Sequence, residues 1–197
     1  VVTTYNGCEG NVTYTYVYTD CEGNTHNWVY TYRIEVEDFT MPADKDTTVE
    51  CVSAMTEPTL PEVTDNCGNV LEPYINYTTT EPDCNGDVKY IYTYKDCENN
   101  SHNWTYTYHI VRTEDPTVAD GFETISTATC KDDAELEDSQ IPTATSSCGE
   151  TLYGVLTSTV DDFPESDCNG TRTLTYTYTD CAGNSAEWTH VITVSDD

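Results

Sequence analysis

The residues whose types and spacing could do chemistry in this chain are its cysteines. Ten occur in 197 residues. Six form three pairs, Cys8/Cys21, Cys84/Cys97 and Cys168/Cys181, each thirteen residues apart. The first member of every pair opens a Cys-x-Gly, the second follows an Asp, and a Trp stands seven residues beyond it (Trp28, Trp104, Trp188). Thiols in such an array could hold zinc, act as nucleophiles or form disulfides. Zinc clusters draw on CxxC pairs and histidines, and here CxxC is absent and His occurs four times. A hydrolase needs a nucleophile, a base and an orienting group that converge. His26 and His102 fall in turns, His109 and His190 in strands, and no GxSxG, HExxH or phosphate-loop pattern is present. The reading is therefore no enzyme, and disulfides formed in an oxidising, extracellular setting.

The second chemistry is that of carboxylates. Acidic residues number 36 against 7 basic ones, a formal charge of −29. Nucleic acid is excluded as a partner because its binding needs clustered Lys and Arg, and an anionic membrane surface is disfavoured for the same reason. No apolar run approaches the roughly 18 residues of a membrane span. The acids crowd two stretches: Glu35, Glu37, Asp38, Asp44 and Asp46, then Glu114, Asp115, Asp120 and Glu123. Calcium takes six to eight oxygens, many from carboxylates. The expectation is calcium at these junctions, with Glu37, Asp38, Asp44, Asp46, Asp96, Glu114, Asp115, Asp120 and Asp180 as ligands, and no other cofactor. The plainer alternative is solvated acidic linkers.

The elements that must position these residues follow from repetition. The phrases "TYTYVYTDCEGNTHNW" (13–28), "KYIYTYKDCENNSHNW" (89–104) and "LTYTYTDCAGNSAEW" (174–188) each read as strand, tight turn, strand. Asp, Gly and Asn suit the turn because they tolerate positive φ or bond nearby amides. "KDCENN" lacks the turn Gly. Alternation of period two puts Tyr14, Tyr16 and Tyr18 on one face and Thr13, Thr15 and Thr19 on the other. The returning strand aligns Trp28, Tyr30, Tyr32 and Ile34. The aliphatic end of each strand assigns the aromatic face inward in all three hairpins; the rival is an exposed strip that stacks on sugars.

Two hairpins have an upstream half with two more cysteines: Cys51 with Cys67 in "TDNCGN", and Cys130 with Cys148 in "TSSCGE". The domains are therefore 1–41, the last hairpin of a repeat, and two complete repeats, 42–116 and 117–197. The opening at Val1, in mid-pattern, reads as a piece of a longer secreted chain. A repeat of about 80 residues built from short alternating strands suits a seven-strand antiparallel sandwich, and its modest core calls for disulfide support. Cysteines flanking one strand lie roughly 30 Å apart at about 3.3 Å per residue. A disulfide needs Cα atoms within about 7 Å, so these pairs cannot close on themselves. The expected bonds are Cys67–Cys97 and Cys148–Cys181 at one pole and Cys51–Cys84 and Cys130–Cys168 at the other, with the partners of Cys8 and Cys21 outside the chain.

The pattern "VEC…TDNCGN…C…YTYTDCAGN…W…ITV" resembles the HYR-like, immunoglobulin-like repeats of Bacteroidota surface proteins, including gliding-motility adhesins of the SprB type. The resemblance covers nearly the whole chain. It implies all-β, tandem Ig-like sandwiches stapled by disulfides, export to the cell surface, and a stalk or adhesive function in which neighbouring repeats are partners. Asp46-Thr47-Thr48 resembles the short O-glycan acceptor pattern of such bacteria, at Thr47. Two alternatives stay open: a carbohydrate-binding module holding surface glycans, and a filament subunit completed by strand exchange with other copies.

Overall fold

The computed structural model describes residues 1–163 and 169–195. Their strands are β1 (Val2–Thr3), β2 (Gly10–Thr19), β3 (Thr25–Ile34), β4 (Lys45–Val49), β5 (Tyr74–Thr78), β6 (Gly86–Lys95), β7 (Ser101–Ile110), β8 (Thr117–Val118), β9 (Ile125–Ala128), β10 (Thr143–Thr145), β11 (Thr151–Tyr153), β12 (Val155–Asp162), β13 (Asn169–Thr179) and β14 (Ser185–Ser195). The only helical pieces among the described residues are 3-10 turns of three residues each, and no helix is long and apolar enough to cross a membrane. The fold is all-β, as the Tyr, Thr and Val content requires.

The chain divides into two compact units. One comprises 1–46, 57–80 and 89–107; the other comprises 47–56, 81–88 and 108–197. The middle repeat therefore contributes to both, and within it Cys67 and Cys97 belong to the first unit, Cys51 and Cys84 to the second.

The second unit contains a seven-strand, Ig-like sandwich. A four-stranded sheet runs β12-β13-β14-β9, and a three-stranded sheet runs β11-β10-β8. β13 and β14 pair antiparallel without a register shift, Tyr176 opposite Trp188, and β9 joins β14 in parallel. Between the sheets Leu174, Tyr176, Tyr178, Trp188, Ile192 and Val194 pack against Ala134 and Ala144. Burying a side chain of this size stabilises by roughly 1.5–3 kcal/mol. A buried Tyr hydroxyl needs a partner, and that of Tyr178 donates to the Pro142 carbonyl at 2.7 Å. Arg172, also on this face, turns to Asp161 (2.8 and 3.1 Å) and to the carbonyls of Lys131 and Ala134.

The first unit repeats this chemistry once. Tyr92, Tyr94 and Trp104 pack with Phe39, Val63 and Leu71. The Tyr94 hydroxyl donates to the Pro61 carbonyl at 2.7 Å, and the Trp104 indole N–H donates to the Ala43 carbonyl at 3.0 Å. These two hairpins bury their aromatic faces as the alternation predicts. The first hairpin does not. β2 and β3 pair in the expected register, Tyr16 opposite Trp28. Yet Tyr16, Tyr18, Trp28, Tyr30 and Tyr32 are 45–63% exposed. In the other two repeats an apolar loop covers the same face; within the described residues nothing of that kind covers β2–β3. Its rings pack on one another instead, with centroids 4.8–6.0 Å apart.

The repeat junction as candidate functional site

Cysteine geometry begins in the turns. After β2, β6 and β13 the chain forms the same loop. The main-chain N–H of Asp20, Asp96 or Asp180 donates to the carbonyl of Asn24, Asn100 or Asn184 at 3.0–3.1 Å. One carboxylate oxygen of each Asp accepts the amides two and four residues on, and the other accepts the Asn side-chain amide, all at 2.8–3.0 Å. Asp65 and Asn69 build the identical loop in the upstream half of the second repeat. The bonds from the Asn side chain and the backbone amides hold the carboxyls of Asp20 and Asp65 below the usual range. At Asp180 burial pushes upward, and the hydrogen bonds from Asn184, Ala182 and Gly183 outweigh it. Each loop needs one residue at positive φ. Gly23, Gly68 and Gly183 supply it, and in "KDCENN" Asn99 takes the position at φ 73°.

These loops present cysteines, and the bonds they make differ from the expected ones. Cys8 bonds Cys97, Cys84 bonds Cys181, and Cys51 bonds Cys148, with Cα atoms 5.5–5.9 Å apart. The pairings Cys51–Cys84, Cys67–Cys97 and Cys148–Cys181 do not form, and Cys8 has its partner inside the chain. Cys21, Cys67 and Cys130 are free thiols; Cys168, the expected partner of Cys130, lies outside the described residues. The distance argument correctly forbids bonds across one strand. It leaves open whether a loop meets its own repeat or the next, and the next repeat wins. A hairpin-base cysteine joins the hairpin-tip cysteine of the following repeat, and an upstream-strand cysteine joins the following repeat's loop cysteine.

Polar contacts surround these bonds. Glu50, beside Cys51, accepts the amides of Thr113 (2.9 Å) and Glu114 (3.1 Å) and the Ser147 hydroxyl (3.0 Å). Those bonds, from the two amides first, hold its carboxyl below the ordinary 4.5. Arg112, only 7% exposed in its side chain, pairs with Glu150, and its carbonyl accepts the Asn184 side-chain amide at 3.3 Å. The Arg112 hydrogen bond lowers the Glu150 carboxyl in turn. The "TSSCGE" departure is thereby explained. Ser146 and Glu150 keep the turn's backbone bonds, while Ser147 and Glu150 turn to Glu50 and Arg112. Sequence reasoning missed this pair. Its signal was the replacement of the Asp-Asn frame in the loop whose Glu150 pairs with the Arg112 guanidinium.

The acidic residues assigned to calcium are dispersed. Asp96 and Asp180 are committed to their turns. Asp38 meets His102 Nε2 at 2.9 Å, and Asp44 accepts the Thr105 amide at 2.8 Å. Glu37, Asp46, Glu114, Asp115 and Asp120 are exposed. Among the described residues no three His, Cys, Asp or Glu side chains gather as a metal site would. Thr47 lies half-buried on β4. His190 is a buried brace: its Nδ1 bonds the Glu123 carbonyl and its Nε2 the Ser126 hydroxyl, both at 2.8 Å, tying β9 to β14.

No curated protein matches the chain. A solved structure, mouse clustered PcdhgC3 EC1-3, aligns at 10% identity and a TM-score of 0.33, over 95% of this chain and 77% of its own; a likeness that weak carries no argument. The signature of the "HYR-like domain with 4 cysteines" matches three times in succession, over residues 1–34, 39–110 and 116–194. With a four-cysteine repeat unit, turn-presented thiols and Ig-like sandwich in agreement, the chain belongs to the family of HYR-like domains with four cysteines.

Proposed function

We propose that this chain is a stretch of an extracellular adhesion rod, with repeats at 1–41, 42–116 and 117–197, carried on a bacterial surface as in gliding-motility adhesins. One observation carries the reading: among the described residues every disulfide joins one repeat to the next, and the base-to-tip bond recurs at both steps. Such bonds do little for a domain that works alone. They suit an array that must bear load along its length outside the cell, where disulfides persist. The strong negative charge keeps such arrays from associating side by side. Continued by the same rule, Cys21 bonds the hairpin base of a preceding repeat and Cys130 the loop of a following one.

Single-molecule pulling between Val1 and Asp197 tests it. Under oxidising conditions the covalent path runs from Val1 to Cys8, across to Cys97, back to Cys84, across to Cys181 and on to the end. At about 3.4 Å per residue, the oxidised chain extends to roughly a fifth of its reduced length. Full extension without reductant sinks the load-bearing reading.

A further inference from the structure

We propose that the open β2–β3 face and Cys67 together form the receiving site for an upstream half-repeat of this same family. Two independent observations specify the same occupant, and neither depends on whether the rod adheres to anything.

The first is the face itself. Tyr16, Tyr18 and Trp28 occupy the positions that Tyr92, Tyr94 and Trp104 hold in the second repeat, and Tyr176, Tyr178 and Trp188 in the third. Those six are at most 9% exposed, whereas Tyr16, Tyr18 and Trp28 are 51–63% exposed. In both covered cases the cover has one form. Leu60-Pro61-Glu62-Val63 lies over the second hairpin and Ile141-Pro142-Thr143-Ala144 over the third. In both, the proline carbonyl accepts the hydroxyl of the tyrosine at the Tyr18 position. The occupant is therefore a Leu/Ile-Pro-x-Val/Ala segment whose proline carbonyl takes the Tyr18 hydroxyl.

The second is Cys67, a free, exposed thiol in the same hydrogen-bonded loop that presents its counterparts. Its equivalent, Cys148, bonds Cys51, the upstream-strand cysteine of the repeat before. The partner of Cys67 is thus the upstream cysteine of the repeat that owns β2–β3, in the half that carries the proline segment. In the two complete repeats that cysteine precedes the proline by ten and twelve residues, Cys51 to Pro61 and Cys130 to Pro142. One polypeptide segment can therefore meet both requirements, and in both complete repeats it precedes its own hairpin.

The test adds a copy of residues 42–76 ahead of Val1, which aligning Cys8 with Cys84 puts at the position of Tyr77. Non-reducing peptide mapping should find the added copy of Cys51 bonded to Cys67, with Cys8–Cys97, Cys51–Cys148 and Cys84–Cys181 retained. Trp28 should lose its accessibility to acrylamide, its signal being assigned with Trp28→Phe. Cys67→Ser should abolish the new bond and leave Trp28 covered. The same segment supplied as a separate peptide in a glutathione buffer should form the same mixed disulfide with the unmodified chain. The proposal is overturned if, in both formats, the added cysteine fails to reach Cys67 and Trp28 stays quenchable. It is also overturned if oligosaccharides shift Trp28 emission in the unmodified chain while the half-repeat does nothing.

Discussion

Tyr18 and Tyr178 stand at the same place in the same phrase, one residue before the Thr-Asp-Cys turn. Tyr178 is fully buried and Tyr18 is 63% exposed. The hairpins that carry them have strands of 10 and 11 residues and share the register at the Tyr–Trp pair and the turn hydrogen bonds. The local sequence therefore decides that a hairpin forms and which residues share a face. Whether that face is a core is decided by a segment elsewhere, here the one around Pro142 that leads into β10. Alternation is necessary for a buried aromatic face and insufficient for one.

The sharpest way to break this comparison is to truncate the equivalent indoles. Trp104→Ala and Trp188→Ala should each cost about 3–5 kcal/mol, read as a lowered denaturant midpoint. Trp28→Ala should stay within about 0.5 kcal/mol; a cost like that of Trp104 would mean the first hairpin depends on a core of its own. Next comes the crosslink. Replacing Cys84 and Cys181 by Ser should cost about 2–4 kcal/mol in thermal unfolding, while Cys21→Ser should cost nothing measurable. Smaller still, Tyr178→Phe removes a hydrogen bond to Pro142 and should cost about 1 kcal/mol, with Tyr18→Phe neutral. The smallest effect is on pH. The carboxyls of Glu50 and Glu150 are held below 4.5 in the folded chain. Their contribution is therefore complete above about pH 4.5 and is lost as pH falls through the folded-state values. Amide exchange at Thr113 and Glu114 should accelerate in that window, ahead of the β13–β14 ladder.

Much of the fold was legible because its signals are local. Tyr/Thr alternation set the strand faces, and Asp-Cys-x-Gly-Asn set the hairpin tips. The thirteen-residue spacing correctly barred a bond across a strand. Disulfide partners were not legible, because tandem copies offer every cysteine two chemically equivalent loops, its own repeat's and its neighbour's. Cys97 is the instructive case. Its loop could have met "TDNCGN" and instead meets Cys8. Nor did composition reveal that the acids would be used singly. Glu50 serves as an acceptor for two amides and a hydroxyl, and Asp96 and Asp180 as turn frames. Those assignments depend on which backbone amides arrive nearby, and that is a property of the assembled junction.

The three disulfides among the described residues interlace along the sequence: each opens before the one preceding it has closed. Seen as a network, the stretch from Cys8 to Cys181 has no single connection whose loss divides it. A protease that cuts the backbone once anywhere in that span leaves one molecule, and the cut becomes visible only on a reducing gel. A chain of ordinary domains, each closed by its own bonds, falls in two at the first severed linker. Here one bond spans the first linker, two span the second, and residues 84–97 lie inside all three.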